Sequence, residues 1–365
     1  MIARRTAAAV LVLFAFAHAA DAQDETPPPS GPTVHALLFG DADYLATTRK
    51  VPTGFSLGQL VGHVNAALSD HLTLFGEVSA TAQPTGYAIE VERSILRYDF
   101  TDEFKLSVGR FHTPIGYWNT AFHHGAWLQT TILRPEEIKF GSQLLPTHFV
   151  GAFAEGNVPS NAFGLGYQVG LGNGRGATIS RAGDAGDVNG NRAWTAAVYA
   201  RPLSLPGSQI GVSYYHDRVD PAGVPMATEG TASAYIAWEQ DRTEFLAEYS
   251  HIAHTPLAGG DETANHAYYA QLAYRLPGQA RAWKPYVRGE RITIAQNDVV
   301  FAPLLLGYDG LTAGIRYDFA ADAALKAEMR GERFQSTGWS RAFAIQAAFT
   351  VPDLFSTGES QTVHQ

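Results

Sequence analysis

Cysteine is absent from the 365 residues, which excludes disulfide staples, thiol nucleophiles and cysteine-ligated zinc or iron–sulfur centres. Lysine is scarce, at positions 50, 105, 139, 284 and 326 alone. With 26 Lys and Arg against 35 Asp and Glu the formal charge is −9, so the basic surface that general nucleic-acid binding requires is missing. Beyond the N-terminus no apolar run reaches the roughly 18 residues that a membrane-crossing helix needs. Aromatics and glycine are plentiful, with 6 Trp, 16 Tyr, 20 Phe and 36 Gly. What matters is how they are spaced.

The first residues read as an export signal. Arg4 and Arg5 precede the apolar stretch Ala7 to Ala17, and small-x-small sites follow at Ala17-His18-Ala19 and Ala20-Asp21-Ala22. Cleavage is expected after Ala22, giving a signal peptide over residues 1–22; the apolar stretch is too short for a membrane anchor. Residues 23–32 (QDETPPPSGP) form a polar, Pro-rich lead unsuited to packing.

From Val34 onward, segments of about ten residues alternate in character and are separated by turns. Leu72, Leu74, Gly76, Val78 and Ala80 share one parity; Leu311, Ala313, Ile315, Tyr317 and Phe319 another; Phe343, Ile345, Ala347 and Phe349 a third. A soluble sandwich would set bulky residues against a core. Here the opposite face is often Gly, Ser, Gln or a charged residue, which fits strands with an apolar exterior and a wet interior. Only a closed barrel pairs every backbone group in hydrocarbon. The reading is therefore all-β: a transmembrane antiparallel β-barrel of about 16 strands over residues 33–349, followed by a polar tail over 350–365. Short turns on one side and mostly long connections on the other agree with it, as do aromatics such as Tyr98, Phe100, Phe104, Tyr317 and Phe319 beside the short turns. One fault stands out. Ile89 and Val91 lie on the opposite parity from Leu96, Tyr98 and Phe100, which calls for a bulge in that strand or a wet upper half.

Three segments carry a resemblance: Val108-Gly109-Arg110-Phe111-His112-Thr113-Pro114-Ile115-Gly116-Tyr117, Lys284-Pro285-Tyr286-Val287-Arg288, and Ile315-Arg316-Tyr317-Asp318-Phe319. Between about Phe55 and Phe349 the chain resembles the phosphate-selective porin O and P family of outer-membrane channels. The resemblance implies a sixteen-stranded barrel, often a homotrimer, a third long loop folded into the lumen, and anion transport. The few lysines and acidic balance depart from the Arg ladder and Lys cluster that phosphate selection would need.

The long connection over 112–147 falls at that third position. It holds Trp118, His123, His124, Trp127, Arg134, Glu136, Glu137 and Lys139, with His112 at its mouth. Arg134 and Lys139 facing Glu136 and Glu137 would set a transverse field and filter solutes by size and charge. Arg110 and His112 are expected beside them. Strand parity turns Arg288 and Glu290, Arg316 and Asp318, and Glu328, Arg330 and Glu332 inward, either as a charged pore wall or as a lattice of structural ion pairs. His112, His123, His124 and His148 invite a metal reading, but adjacent strand histidines point apart and no H-E-x-x-H spacing is present, so no metal is expected. Asp184, Asp187, Asn189 and Asn191 lack the full calcium-loop pattern. Gly54-Phe55-Ser56-Leu57-Gly58 matches G-x-S-x-G by letter only, since a strand begins at Phe55 and the motif acts on a strand-to-helix turn.

The expected function is passive diffusion of small hydrophilic solutes or ions, anions such as phosphate included, through a water-filled barrel in the bacterial outer membrane. No catalytic residue and no cofactor are expected. The partners are outer-membrane lipid, the permeating solute and, by the resemblance, two further copies of the chain. A non-conducting barrel serving as scaffold or surface binder is the alternative.

Overall fold

The computed structural model describes residues 32–357 apart from Asn161. The expected signal peptide and nearly all of the lead lie outside these residues. The strands run in chain order: β1 Thr33–Thr47, β2 in two pieces (Gly54–Ser56 and Gln59–Ala67), β3 Leu72–Gln83, β4 Gly86–Asp99, β5 Lys105–His112, β6 His148–Val158, β7 Leu165–Asn173, β8 Ala193–Ala200, β9 Ser208–Val219, β10 Ala227–Glu239, β11 Thr243–Pro256, β12 Thr263–Tyr274, β13 Trp283–Thr293, β14 Tyr308–Ala320, β15 Ala323–Phe334 and β16 Ser340–Thr357. Each pairs antiparallel with the next, and β1 pairs with both β2 and β16, so the sheet closes into a 16-strand barrel. Closure leaves no edge of unpaired backbone groups.

Burial is inverted relative to a water-soluble protein. Along β13 the buried residues are Lys284, Tyr286, Arg288, Glu290 and Ile292, while Trp283 and Val287 are exposed. Elsewhere Glu77, Glu229, Glu248, Arg316 and Glu328 are buried, and Ile89, Val108, Leu171, Leu311 and Met329 are at least half exposed. An exterior that is apolar and an interior that is charged suit a wall with lipid outside. Exposed aromatics gather toward both rims. Trp283 stacks on Tyr317 near the short turns, and Phe55 meets Tyr44 edge-on toward the other rim. Those are the heights at which amphipathic rings meet headgroups.

The parity fault in β4 is a bulge. Against β3 the register steps from Glu77–Arg93 to Val78–Val91, leaving Glu92 without a partner. The extra residue turns Glu92 inward, where it is 4% exposed. Arg110 on β5 clamps the bulge, Nη1 donating to Val91 O at 2.6 Å and Glu92 O at 2.7 Å. Its neighbour Gly109 sits at φ +143°, where an added Cβ would fall 1.9 Å from Ser94 O.

The barrel does not end at Phe349. The last strand continues to Thr357, which pairs with Val34, so the expected tail over 350–365 begins inside β16. The early half of β1 holds it there, whereas Pro352 and Asp353 break the alternation by which a strand is read.

Candidate functional site: the long loop and its histidine cluster

The connection between β5 and β6 spans residues 113–147 and contains one helical turn, Trp118–Ala121, and a 3-10 turn, Glu136–Ile138. Buried side chains of the opposite wall hold it by its backbone. Glu248 accepts the Tyr117 and Trp118 N–H groups at 2.8 and 2.7 Å. Gly116, at φ +68°, makes this approach possible, because a Cβ there would lie 1.9 Å from Glu248 Oε2. Arg316 donates to Trp127 O at 2.6 Å and Gln129 O at 2.9 Å; Lys326 donates to Ala126 O at 2.6 Å and Thr131 O at 3.1 Å. Arg288 donates to Thr131 Oγ1, Leu133 O and Arg134 O. Glu328 accepts Ile132 N–H at 3.0 Å, and Glu290 accepts Glu136 N–H at 2.6 Å.

These contacts revise the role of the charged wall. Arg288 and Glu328 are 0% and 1% exposed, and their charge is spent on loop carbonyls and amides. Arg316 and Glu290 do the same work, and Arg330 bridges Glu290 at 3.2 Å and Tyr308 Oη at 2.5 Å. Of the ten residues singled out from sequence for the lumen, Arg288, Glu290, Arg316 and Glu328 are loop anchors, Arg330 braces Glu290 within the wall and stands 3.7 Å from Glu136 of the loop, and Arg110 is the bulge clamp. Glu136 and Lys139 are paired with each other. Arg134 lies buried with its guanidinium 3.4 Å from the centre of the Phe140 ring.

Open space lies on the other side of the loop. A cavity of about 450 Å³ is lined by Asp41, Asp43, Gln129, Arg330, Glu332 and Gln346 among others. A second, of about 910 Å³, borders Lys50, Phe334 and Trp339. Arg49, Glu136 and Lys139 border both. Asp41, Asp43 and Arg49 escaped the sequence reading because β1 alternates poorly; acidic residues two apart on a strand were the available signal.

The last predicted residue, His112, belongs to a different assembly. His112 and His148 are direct cross-strand partners at the mouth of the loop. The loop brings His123 and His124 back to them, so that one ring nitrogen from each of the four lies within 4.8 Å of the others. The His112 and His123 ring centres are 3.9 Å apart. Glu92, on the bulge, stands 3.2 Å from His124 Nε2 and 3.0 Å from His148 Nε2. Burial, before any charge, holds His123 and His124 below the ordinary imidazole pKa, so both are neutral at pH 7. The expectation that these histidines point apart fails: His123 and His124 sit on a loop just beyond a helical turn, where strand alternation has no force.

Of the other motifs, Asp184 accepts Arg110 Nε–H at 2.8 Å and Asp187 Oδ1 accepts the Asn189 N–H at 2.8 Å, an ordinary Asx turn. Ser56 lies on the short first piece of β2, opposite Asp43.

No family model and no curated protein matches the sequence. Solved structures do match the fold. OmpT, an outer membrane protein of Vibrio cholerae, superposes with a TM-score of 0.59 at 14% identity, covering 90% of this chain and 100% of that one. The outer membrane channel DcaP of Acinetobacter baumannii gives 0.56 at 10% identity, covering 89% and 99%. Pseudomonas putida OprB gives 0.55 at 10%, covering 88% and 94%. At such identities the likeness defines the fold: this chain has the barrel found in outer-membrane channels.

Proposed function

We propose that the protein is a passive diffusion channel of the bacterial outer membrane, exported by its N-terminal signal and narrowed by the 113–147 loop lying across the lumen. The observation that carries this reading is the pair of adjoining cavities, each bordered by charged side chains, that share Arg49, Glu136 and Lys139 between the loop and the wall formed by β1, β15 and β16. The charges lining the first cavity are mixed, with Asp41, Asp43, Glu136 and Glu332 against Arg49, Arg134, Lys139 and Arg330. Four of each sign favour small hydrophilic solutes and ions of either charge over phosphate selection. Assembly into a homotrimer belongs to the same proposal; the description of one OmpT structure as a trimer form supports it for the fold.

Planar-bilayer recording tests the channel. Stepwise conductance is expected, with the double variant Glu136→Gln, Glu332→Gln shifting the reversal potential in asymmetric salt toward anions. A silent membrane with a correctly folded barrel would overturn it. That outcome would leave a non-conducting scaffold, the reading favoured by how fully the wall ties down the loop backbone.

A further inference from the structure

The four histidines are placed for more than packing. His112 is 8% exposed and His124 4%, and both ring nitrogens of each lack a hydrogen-bond partner, as does His148 Nε2. Leaving so many buried polar atoms unpaired costs about 1–3 kcal/mol for each group, so a missing partner is the economical explanation. The His124 and His148 contacts with Glu92 are short yet lack hydrogen-bond geometry. One ring nitrogen from each of the four histidines lies within 4.8 Å of the others, close enough for small ring rotations to bring them to the roughly 3.3 Å separation of ligands about 2.0–2.1 Å from a tetrahedral zinc.

A second observation sets the tautomer. Asn119 Nδ2 donates to Thr113 O at 2.8 Å and Thr147 O at 3.0 Å, which fixes its Oδ1 as the acceptor facing His123 Nδ1 at 2.7 Å. His123 therefore carries its proton on Nδ1 and presents a bare Nε2 lone pair. An imidazole whose far nitrogen is tied to a fixed acceptor is the arrangement that metal-binding histidines use. Thr147 Oγ1 stands 3.2 Å from His148 Nδ1, where the hydroxyl can serve as donor or acceptor. Around the cluster, Glu77 and Glu92 are balanced by Arg93, bonded to Glu77, by Arg110, bonded to the bulge and Asp184, and by Arg134 over Phe140. The cluster opens toward a cavity of about 280 Å³ that His123 and His148 both border, which supplies an entry path.

We propose that His112, His123, His124 and His148 bind one divalent transition-metal ion of the zinc class through ring nitrogens, with Glu92 and Asn119 as positioning residues. Neutral imidazoles suit zinc, copper and nickel, whereas calcium and magnesium prefer oxygen. The ion ties both ends of the loop, at His112 and His148, to its middle, at His123 and His124. It closes a tether that the anchors on the opposite wall do not supply. This inference does not depend on whether the barrel conducts.

The test is zinc binding by the full, folded barrel in detergent, followed by X-ray absorption at the zinc edge. One zinc per chain is expected, with three or four imidazole nitrogens at about 2.0–2.1 Å. His123→Ala should weaken binding by more than the roughly 10–100-fold expected for the positioning variant Glu92→Gln. The cross-strand pair His251 and His266, with ring centres 5.1 Å apart, is the rival site. Its double Gln variant should bind as the parent does. No zinc retained by the folded parent, two or fewer imidazoles in the absorption spectrum, or loss of binding on changing His251 and His266 would each overturn the proposal. Because the absorption measurement uses the unaltered protein, it decides even if His123→Ala fails to fold.

Discussion

Two buried groups, one built on the single histidine His254 and one on four histidines, lie toward the long-loop end of this barrel, and they are finished to different degrees. His254 has carboxylates at both ring nitrogens, Asp298 at 2.8 Å and Glu229 at 3.1 Å. Those carboxylates are themselves engaged: Glu229 by Arg175 at 3.0 Å, and Asp298 by Thr263, Asn265 and the N–H groups of Val300 and Phe301. The cluster of His112, His123, His124 and His148 is as deeply placed, yet it keeps nitrogens with nothing to bond. Burial alone therefore does not separate a structural network from a binding site. The completeness of its partners does. The first group is a closed account of donors and acceptors. The second is short by one ligand.

The difference should appear first as stability. Glu229→Ala strands Arg175 and His254 without their shared carboxylate in a buried site, and should cost about 3–5 kcal/mol in denaturant unfolding of the detergent-solubilised barrel. Next in size is an effect of pH on the loop. Burial, reinforced by Glu248 and Glu290, raises the Glu137 carboxyl well above its ordinary 4.5. The folded state then holds a proton that the unfolded state releases. The contribution is complete below pH 4.5 and is lost as pH rises toward the folded value. Hydrogen-exchange protection of the loop amides should accordingly fall with rising pH, and Glu137→Gln should flatten that slope. The smallest change is expected for His124→Phe in metal-free protein. Phe140 stacks on the His124 ring at 5.2 Å, and the ring nitrogens lost had no partners. An apolar ring of similar shape should cost less than about 1.5 kcal/mol. A loss comparable to that of Glu229→Ala would erase the distinction between the two groups.

The strands were legible because lipid outside and charge inside force a period of two. Even the irregularity in β4 could be read, since the reversed parity of Ile89 and Leu96 requires one extra residue, and that residue is Glu92. The inward parity of Arg288, Glu290, Arg316, Glu328 and Arg330 was legible as well; what they hold was not. A strand pattern gives the direction of a side chain, but not the loop backbone that comes to meet it. The histidine cluster was hidden for a related reason. His112 and His148 become neighbours through the pairing of β5 with β6 across an intervening loop, and His123 and His124 join them only through the fold of that loop. Local spacing carries none of this. Knowing the β5–β6 register would have supplied half of it.

The account rests on which side of the wall meets hydrocarbon. Single-tryptophan versions of the barrel, reconstituted in bilayers containing brominated lipid, report on it directly. Fluorescence of Trp283, which is 40% exposed on the outer face, should be strongly quenched, while that of Trp118, 1% exposed beneath the loop, should not. Equal quenching of the two, or quenching of Trp118 alone, would contradict the inside and the outside assigned here.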